Sequence, residues 1–396
     1  MLSNQILDHN VDFREGLREA ELVPTDEQAE LRTVVRDYLE SRGEAELRRM
    51  LGSNPGTDRR AWKAMAEEQG LPALAISESD GGMGYGFAEL VVAIEECGRR
   101  LAFPSLLTTA VLGAELLFAL PPGVHRAEWL AAIAAGELLM AVTGPGVPAA
   151  GVSNVSARAS GGGWLLEGTA EFVLDGAAAD VVLVLCGDSG PGAALFACKT
   201  DAVGLLRSPL QTLDLTRAQA RYEFQGAEAA LLAEGDAAAA AWRRMLALGK
   251  VAVASEQLGV AGFALDTAVE YAKSRQQFGR PIGSFQAIKH KCADLLVELE
   301  SARSAVAFAV WAAQSGHTSL PLAAALAKSA ASDACTRVTA ESIQIHGGIG
   351  FAWENPAHLY FRRAKSMEVL FGDGQAQRAD IGQLLGLAAS AGGSTR

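Results

Sequence analysis

The strongest constraint on the fold of this chain is a sharp break between two long helical patterns. Apolar residues recur at helical spacing from 258 to 272 and again from 288 to 299. Between them stand Gly279, Pro281 and Gly283, which cannot continue a helix because proline lacks the backbone N–H and glycine favours turns. The sequence therefore predicts two long helices joined by a tight corner.

The corner itself carries cations, an amide and an aromatic ring. Arg275 and Arg280 flank the turn, and Gln277 and Phe278 lie between them. Fixed cations beside exposed backbone N–H groups form a good clamp for a diphosphate. The alternative is an ordinary helical corner with solvated arginines, since surface charges are common. Spacing alone does not separate the two interpretations.

A glycine-rich stretch ends a later helical pattern. Residues 344–350 read Gln-Ile-His-Gly-Gly-Ile-Gly, with three glycines in four residues. Such a run lets the backbone approach a ligand closely, although glycines also simply end helices. The stretch is weak evidence for a binding site when it is taken alone.

Together the two stretches resemble the acyl-CoA dehydrogenase family. Residues 275–279 read Arg-Gln-Gln-Phe-Gly and are similar to that family's Arg-x-Gln-Phe-Gly segment. Residues 344–350 are similar to its second signature, Gln-x-His-Gly-Gly-x-Gly. The similarity extends over nearly all of the chain, from about Pro24 to about Leu387, and is strongest after Lys250.

The resemblance implies an FAD site that is shared between subunits. In the family, the arginine and phenylalanine of the first segment contact FAD, partly across a subunit interface, and the second signature lies along the FAD diphosphate. The cofactor-binding residues implied here are Arg275, Gln277, Phe278, Gln344, Gly347, Gly348, Gln375 and Thr143. The expected assembly is a homodimer or homotetramer, or a heterotetramer with a related subunit.

Composition argues against several other functions. The 396-residue chain has a net charge of −12, which argues against general nucleic-acid binding. Its five cysteines are scattered without metal-ligand or disulfide spacing, so we expect reduced thiols, no metal site and a cytoplasmic protein. The most apolar N-terminal stretch, 101–120, contains Pro104 and Glu115 and predicts a buried helix rather than a membrane span.

The patterns divide into three regions and predict an α+β protein. Residues 1–136 predict an N-terminal helical domain that opens with a capping box at Thr25 and Gln28. Residues 137–235 alternate β-rich runs with glycine turns and predict a compact antiparallel β-domain. Residues 236–396 predict a four-helix bundle. Its expected helices cover 238–274, 286–314, 320–345 and 375–387, with a shorter one through 355–370.

The family's catalytic base is missing from this sequence. Desaturation of an acyl thioester needs a base for the Cα proton, while FAD accepts a hydride from Cβ. Many family members carry the base as the glutamate of a Tyr-Glu-Gly-Thr segment. The matching stretch 370–373 reads Leu-Phe-Gly-Asp, so Phe371 stands at the glutamate position. Other members place the base on the first bundle helix, where the matching residue is Gly249.

Two carboxylates are candidate substitutes for the base. Asp373 stands two residues past the usual position, and Glu256 lies at i+7 from Gly249 on the first bundle helix. Glu368 is a weaker candidate. Each of the first two also has a structural interpretation, since Asp373 is placed to cap the last helix and Glu256 to pair with a lysine.

The β-domain departs from the family pattern at two further points. The family's Thr-Glu-Pro segment, near the flavin ring, becomes Thr-Gly-Pro at 143–145, and its Trp-Ile-Thr becomes Phe-Val-Leu at 172–174. The bundle half of the expected cofactor site thus matches the family better than the β-domain half does.

Three functions stay open on this evidence. The first is FAD-dependent α,β-dehydrogenation of an acyl-CoA, with electrons passed to an electron-transfer flavoprotein. The second is a base-lacking subunit of a heteromeric acyl-CoA dehydrogenase, of the kind that acts on bulky substrates such as sterol side chains. The third is another flavin oxidase on the same fold. The first two place the chain in fatty acid or steroid degradation.

Overall fold

The N-terminal part of the molecule is helical. The computed structural model describes residues 22–52, 58–103, 105–121, 124–147, 153–187 and 190–387, together with positions 16, 18 and 20. The helices are α1 (Asp26–Gly52), α2 (Arg59–Gln69), α3 (Phe87–Arg100), a π-helical segment (Leu106–Gly113) that continues into α4 (Ala114–Phe118), and α5 (Val124–Ala134). The predicted buried helix over 101–120 is therefore present, but its first half is wound as a π-helix.

Helix ends in this part follow from local side-chain chemistry. Thr25 and Gln28 each accept a hydrogen bond from the other's backbone N–H, at 3.2 Å in both cases, so the predicted capping box is confirmed. Asp58 caps α2 by accepting from the backbone N–H groups of residues 60 and 61. Gly70 ends the same helix in the left-handed conformation, with φ of 62°.

A curled sheet follows the N-terminal helices. Its strands are β1 (Met140–Thr143), β2 (Ser153–Ser160), β3 (Gly163–Leu174), β4 (Val181–Cys186), β5 (Ala194–Lys199), β6 (Leu205–Pro209) and β7 (Gln219–Glu234). They run in the order β1-β4-β5-β7-β3-β2, with β6 paired to β7. Strand β6 was not predicted from the sequence.

One strand pair departs from the antiparallel arrangement expected of this sheet. The expectation is met by every described pair inside the sheet except β1–β4, which is parallel and aligns Met140 with Val181. The long connection between these strands, which contains β2 and β3, gives the chain enough length to return in the same direction.

The C-terminal part is a bundle of long helices. It contains α6 (Gly235–Ser274), a short hairpin of β8 (Gln276–Gln277) and β9 (Arg280–Pro281), α7 (Gln286–Ser315), α8 (Leu320–His346), α9 (Ala357–Val369) and α10 (Gly374–Leu384). The predicted helices and the corner between the first two are thus confirmed, with ends that differ by at most a few residues. The exact domain boundaries stay a prediction.

Close helix packing joins the N-terminal part to the bundle. A Cβ on Gly259 of α6 would stand 1.9 Å from the backbone oxygen of Glu95 on α3. Only glycine allows this approach, so α3 and α6 pack backbone to backbone. One large apolar core runs through both helical parts and reaches one face of the sheet, while a second core lies inside the sheet. Among the described residues, we find no helix with the length and apolarity needed to cross a membrane.

Candidate functional site

The corner between α6 and α7 is an exposed and strained turn. Gln277 pairs with Arg280 across the β8–β9 hairpin, and the turn between them is made by Phe278 and Gly279, with φ of 55° and 76°. The Phe278 side chain is 90% exposed. A large apolar ring held in a left-handed conformation and 90% exposed is unfavourable, so this turn is a candidate contact for a ligand or another chain.

Aromatic and cationic groups are stacked around this turn. The Phe278 and Phe285 rings meet edge to face with centroids 6.1 Å apart, and the Arg280 guanidinium lies 4.1 Å from the Phe285 ring centroid. Arg275 and Gln277 are exposed beside them. The implied FAD contacts of the first segment therefore all face outward from the subunit.

The glycine-rich stretch offers an open backbone surface. Gly347 ends α8 with φ of 68°, and Gln344, Gly347 and Gly348 are exposed. A Cβ built on Gly347 or on Gly348 would meet no atom within 4 Å. The empty space beside these backbone groups is of the kind that a diphosphate could fill.

Side-chain packing brings the two stretches to one end of the bundle. Tyr271, near the end of α6, stacks on His346 with ring centroids 4.5 Å apart. The neighbouring Ile345 shares a small apolar cluster with Ala268 and Ala272 of α6. His346 Nδ1 also lies 2.7 Å from the backbone oxygen of Ser342, so this histidine holds the helix end. The corner and the glycines are thus adjacent.

The β-domain side of the expected site contains an unpaired buried hydroxyl. Thr143, at the end of β1, is fully buried, and its Oγ1 has no hydrogen-bond partner in the described part of the chain. A buried hydroxyl without a partner is unfavourable by about 1–3 kcal/mol. The unpaired Thr143 Oγ1 is therefore available for a hydrogen bond to a bound ligand.

The residue after Thr143 explains one departure from the family pattern. A Cβ on Gly144 would stand 2.7 Å from the Trp242 ring, and Trp242 donates its indole N–H to the Pro145 oxygen at 2.9 Å. The tryptophan of α6 thus fills the space into which a glutamate side chain at position 144 would extend.

The two positions at which the family carries its base face each other. Phe371 is buried, with φ of 58°. A Cβ on Gly249 would stand 2.8 Å from Phe371 Cζ and 2.9 Å from Leu112 Cδ2. Phe371, Gly249 and Leu112 therefore form one apolar contact at the point where a base would stand.

Glu256, one proposed substitute for the base, lies in a buried ion cluster. Both of its carboxylate oxygens accept from the Arg217 Nη2, at 2.7 and 2.6 Å, and the Arg363 guanidinium binds it as well. Burial alone would raise the pKa of Glu256, but the two guanidinium groups outweigh it and hold the pKa below its usual range. A carboxylate engaged in this way is a weak proton acceptor.

The same cluster ties the β-domain to the bundle. Arg363 of α9 also pairs with Asp214 at 2.9 Å, and its guanidinium donates to the backbone oxygen of Thr216 at 2.8 Å. Sequence reasoning expected Glu256 to pair with a lysine and did not identify these partners. Because all of them are distant from Glu256 in the sequence, spacing rules gave no signal for the cluster.

Asp373, the other proposed substitute, caps the last helix. Its Oδ1 accepts from the backbone N–H of Ala376 at 2.9 Å, so the structural interpretation of this residue describes its contact in the fold. The side chain is exposed, as is that of Gln375. Glu368 pairs with Lys365 on α9. A role for Asp373 or Glu256 as the base stays a prediction, and each of them has a structural role in the fold.

Comparison with known proteins decides the family. The N-terminal domain model of the acyl-CoA dehydrogenases matches residues 25–137, and the C-terminal domain model matches residues 239–386. The chain is also 35% identical to the acyl-CoA dehydrogenase IpdE2 of Mycobacterium tuberculosis over 344 residues, or 87% of this chain and 92% of the relative. This chain belongs to the acyl-CoA dehydrogenase family. It is therefore related to oxidoreductases that use FAD.

Solved structures of related proteins have the same fold. The crystal structure of the ChsE4–ChsE5 complex from Mycobacterium tuberculosis contains a chain with a TM-score of 0.84 and 28% identity, over 93% of this chain and 100% of that one. A variant of the Tcur3481–Tcur3483 steroid acyl-CoA dehydrogenase gives a TM-score of 0.82 and 31% identity, over 91% of this chain and 98% of that one. The mixed α+β fold with its N-terminal helices, central sheet and C-terminal helices is thus confirmed.

Proposed function

We propose that this chain is a subunit of a heteromeric acyl-CoA dehydrogenase that contributes flavin contacts and leaves the proton-abstracting base to its partner. The observation that carries the proposal is the contact between Phe371 and Gly249. A phenyl ring cannot accept a proton, and a glycine offers no side chain to do so. Neither of the two positions at which the family carries its base can therefore accept a proton in this chain.

The shape of this contact supports the same conclusion. The Phe371 ring and Leu112 approach Gly249 so closely that a methyl group on Gly249 would fit only if the tips of these side chains moved aside. A thioester Cα would need room beside the base for its proton to be transferred. The region is closed by apolar packing, so this chain's own base positions are not arranged to hold reacting atoms.

The bundle end, in contrast, fits a bound FAD. The exposed Gly347 and Gly348 offer free space beside their backbone groups, and Arg275 and Phe278 project from the adjoining corner. In our proposal Arg275 holds the diphosphate through charge-assisted hydrogen bonds, and Phe278 is covered by a neighbouring subunit. FAD, when bound, supplies the acceptor for the hydride from Cβ.

We infer a bulky acyl-CoA as the substrate of the complete assembly, with electrons passing to an electron-transfer flavoprotein. The support for a heteromer and for this substrate class is similarity: one neighbouring structure is described as a ChsE4–ChsE5 complex and another as a steroid acyl-CoA dehydrogenase. The main alternative is a self-sufficient dehydrogenase, which would require Asp373 or Glu256 to leave its present partners.

The proposal is tested in a complex of this chain with a related family chain that carries the glutamate base. We expect Arg275→Ala in this chain to lower the FAD affinity of the complex by about tenfold, the effect of one lost charge-assisted hydrogen bond. The matched control is Arg42→Ala, which removes another exposed arginine far from the corner, paired with Glu68. Unchanged FAD affinity in the Arg275→Ala complex would contradict the assigned contact.

A further inference from the structure

A buried lysine lies beneath the connection between α9 and α10, residues 370–373, which carries Phe371. Lys328 on α8 is fully buried. Its Nζ donates to Ser332 Oγ at 2.8 Å, to the Glu368 backbone oxygen at 3.2 Å and to the Gly372 backbone oxygen at 3.5 Å. The lysine therefore bridges α8 to both sides of Phe371.

A buried glutamine holds the same connection from the other side. The Nε2 of Gln377, on α10, donates to the backbone oxygens of Phe371 at 2.7 Å and of Gly372 at 3.2 Å. Gln377 is itself fully buried. The backbone oxygens of Glu368, Phe371 and Gly372 are thus all bound by these two side chains.

The held connection is strained at the functional position. Phe371 has φ of 58° and Gly372 has φ of 93°. The left-handed region is unfavourable for a residue with a bulky side chain, and such a conformation persists only where the surroundings over-determine it.

We propose that Lys328 and Gln377 are positioning residues that hold residue 371 in the left-handed conformation and so direct its side chain onto Gly249. In this chain they keep the Phe371 ring closed over the first bundle helix. The role of this closure in the reaction rests on the proposed function. The hydrogen bonds from Lys328 and Gln377 to the connection, which we call the clamp, belong to the fold itself.

The chemistry of Lys328 supports a specific role over general packing. The Lys328 Nζ donates hydrogen bonds to a hydroxyl and two backbone oxygens, and burial lowers the pKa of Lys328 to about 8. A buried amine is unfavourable unless its donors are used. One of its bonds stabilises the C-terminus of α9, as is common for lysines. The bond to Gly372 lies past the helix end and acts on the strained segment alone.

Hydrogen–deuterium exchange with mass spectrometry tests the clamp. We compare the wild-type chain with Lys328→Met and with Gln377→Met. Each substitution removes the side-chain hydrogen-bond donors and introduces an unbranched apolar side chain of similar length. We expect peptides that cover 368–373 to exchange about tenfold faster in both variants, the shift for one lost buried hydrogen bond. Peptides from α3 and the sheet should exchange at the wild-type rate.

The matched control is Lys291→Met, because Lys291 of α7 pairs with Glu341, which stands thirteen residues past Lys328 on α8. This variant should leave the 368–373 peptides unchanged. Wild-type exchange of these peptides in Lys328→Met and Gln377→Met, or uniform acceleration over the whole bundle, would overturn the proposal. If Lys328→Met does not fold, Gln377→Met alone decides. The exchange rates do not depend on flavin chemistry. The clamp can therefore be disproved while the proposed function stands, and the proposed function can be disproved while the clamp stands.

Discussion

The ring of Phe371 lies against the backbone of Gly249, so close that a Cβ on the glycine would stand 2.8 Å from Phe371 Cζ. The family carries its base at one or the other of these positions, which are far apart in the sequence. The structure shows that they are neighbours. In our proposal this single apolar contact removes both options for the base at once.

The tightness of this contact predicts a coupled pair of substitutions. Gly249→Ala should destabilise the protein by about 1–3 kcal/mol, because the methyl group must displace the Phe371 ring or Leu112. Phe371→Leu makes room, so the double variant should be more stable than the sum of the single effects predicts, by about 1 kcal/mol. Urea denaturation measures all four proteins.

A helical glycine elsewhere serves as the control for that cycle. A Cβ on Gly382 of α10 would meet no atom within 4 Å. Gly382→Ala should therefore be neutral or stabilising by up to about 1 kcal/mol. Strict additivity between positions 249 and 371 would show that the two residues do not touch.

The buried ion cluster predicts a large loss of stability from Glu256→Gln. Removing the charge leaves Arg217 and Arg363 buried without their shared carboxylate, which should reduce the free energy of unfolding by about 3–5 kcal/mol near pH 7. Glu67→Gln, an exposed carboxylate change on α2, should have little effect. Wild-type stability of Glu256→Gln would contradict the structural role of this residue.

The acid dependence of that variant follows from the lowered pKa of Glu256. A carboxyl whose folded pKa lies below its unfolded pKa stabilises the protein above the unfolded value, and this contribution is lost as the pH falls through the folded pKa. The unfolding free energy of wild type should therefore fall more steeply in acid than that of Glu256→Gln. Equal slopes would argue that Glu256 is not ionised in the fold.

Asp373 gives a contrast between two substitutions. Asp373→Ala should cost about 1 kcal/mol because it removes the cap of α10, whereas Asp373→Asn should be nearly neutral because asparagine caps as well. If Asp373 only caps, Asp373→Asn should leave flavin reduction by acyl-CoA in the assembled complex unchanged. Loss of reduction with wild-type stability would instead identify Asp373 as the base.

The pH dependence of stability should report on Lys328. Burial lowers its pKa to about 8 from the usual 10.5; the Lys250 charge acts in the same direction, and the carboxylates of Glu368 and Asp373 act in the opposite one. Between these values the unfolded chain binds a proton that the folded chain has lost, so stability rises with pH across this window. Lys328→Met should remove about 1–3 kcal/mol of that rise. An identical rise of stability with pH in both proteins would show that the pKa of Lys328 is not lowered in the fold.

The sequence was informative where chemistry is local. The capping box of Thr25 and Gln28, the helix break at residues 279–283 and the long bundle helices depend on neighbouring residues, and all were predicted correctly. The β6 strand was missed because it lacks a strong apolar pattern. Its first residue, Leu205, is buried, but the rest of the strand, from Leu206 on, is exposed.

Long-range contacts explain what the sequence did not reveal. The partners of Glu256 come from a β-domain loop and from α9, and no spacing rule connects them. The clamp on Phe371 was also missed, since a lysine on the alanine-rich α8 and a glutamine on the polar α10 look like ordinary exposed residues. The parallel pairing of β1 with β4 likewise depends on chain topology rather than on the strands' own residues.

The most direct test of the central claim is a visible spectrum of the chain purified alone, followed by anaerobic titration with a set of acyl-CoAs that range from short straight chains to steroid side chains. We predict that the chain alone shows no flavin absorbance, or a flavin that dithionite reduces but no acyl-CoA bleaches. Adding a related chain with the glutamate base should restore bleaching. Bleaching of the chain alone by any acyl-CoA would contradict the base-lacking role and identify a self-sufficient dehydrogenase.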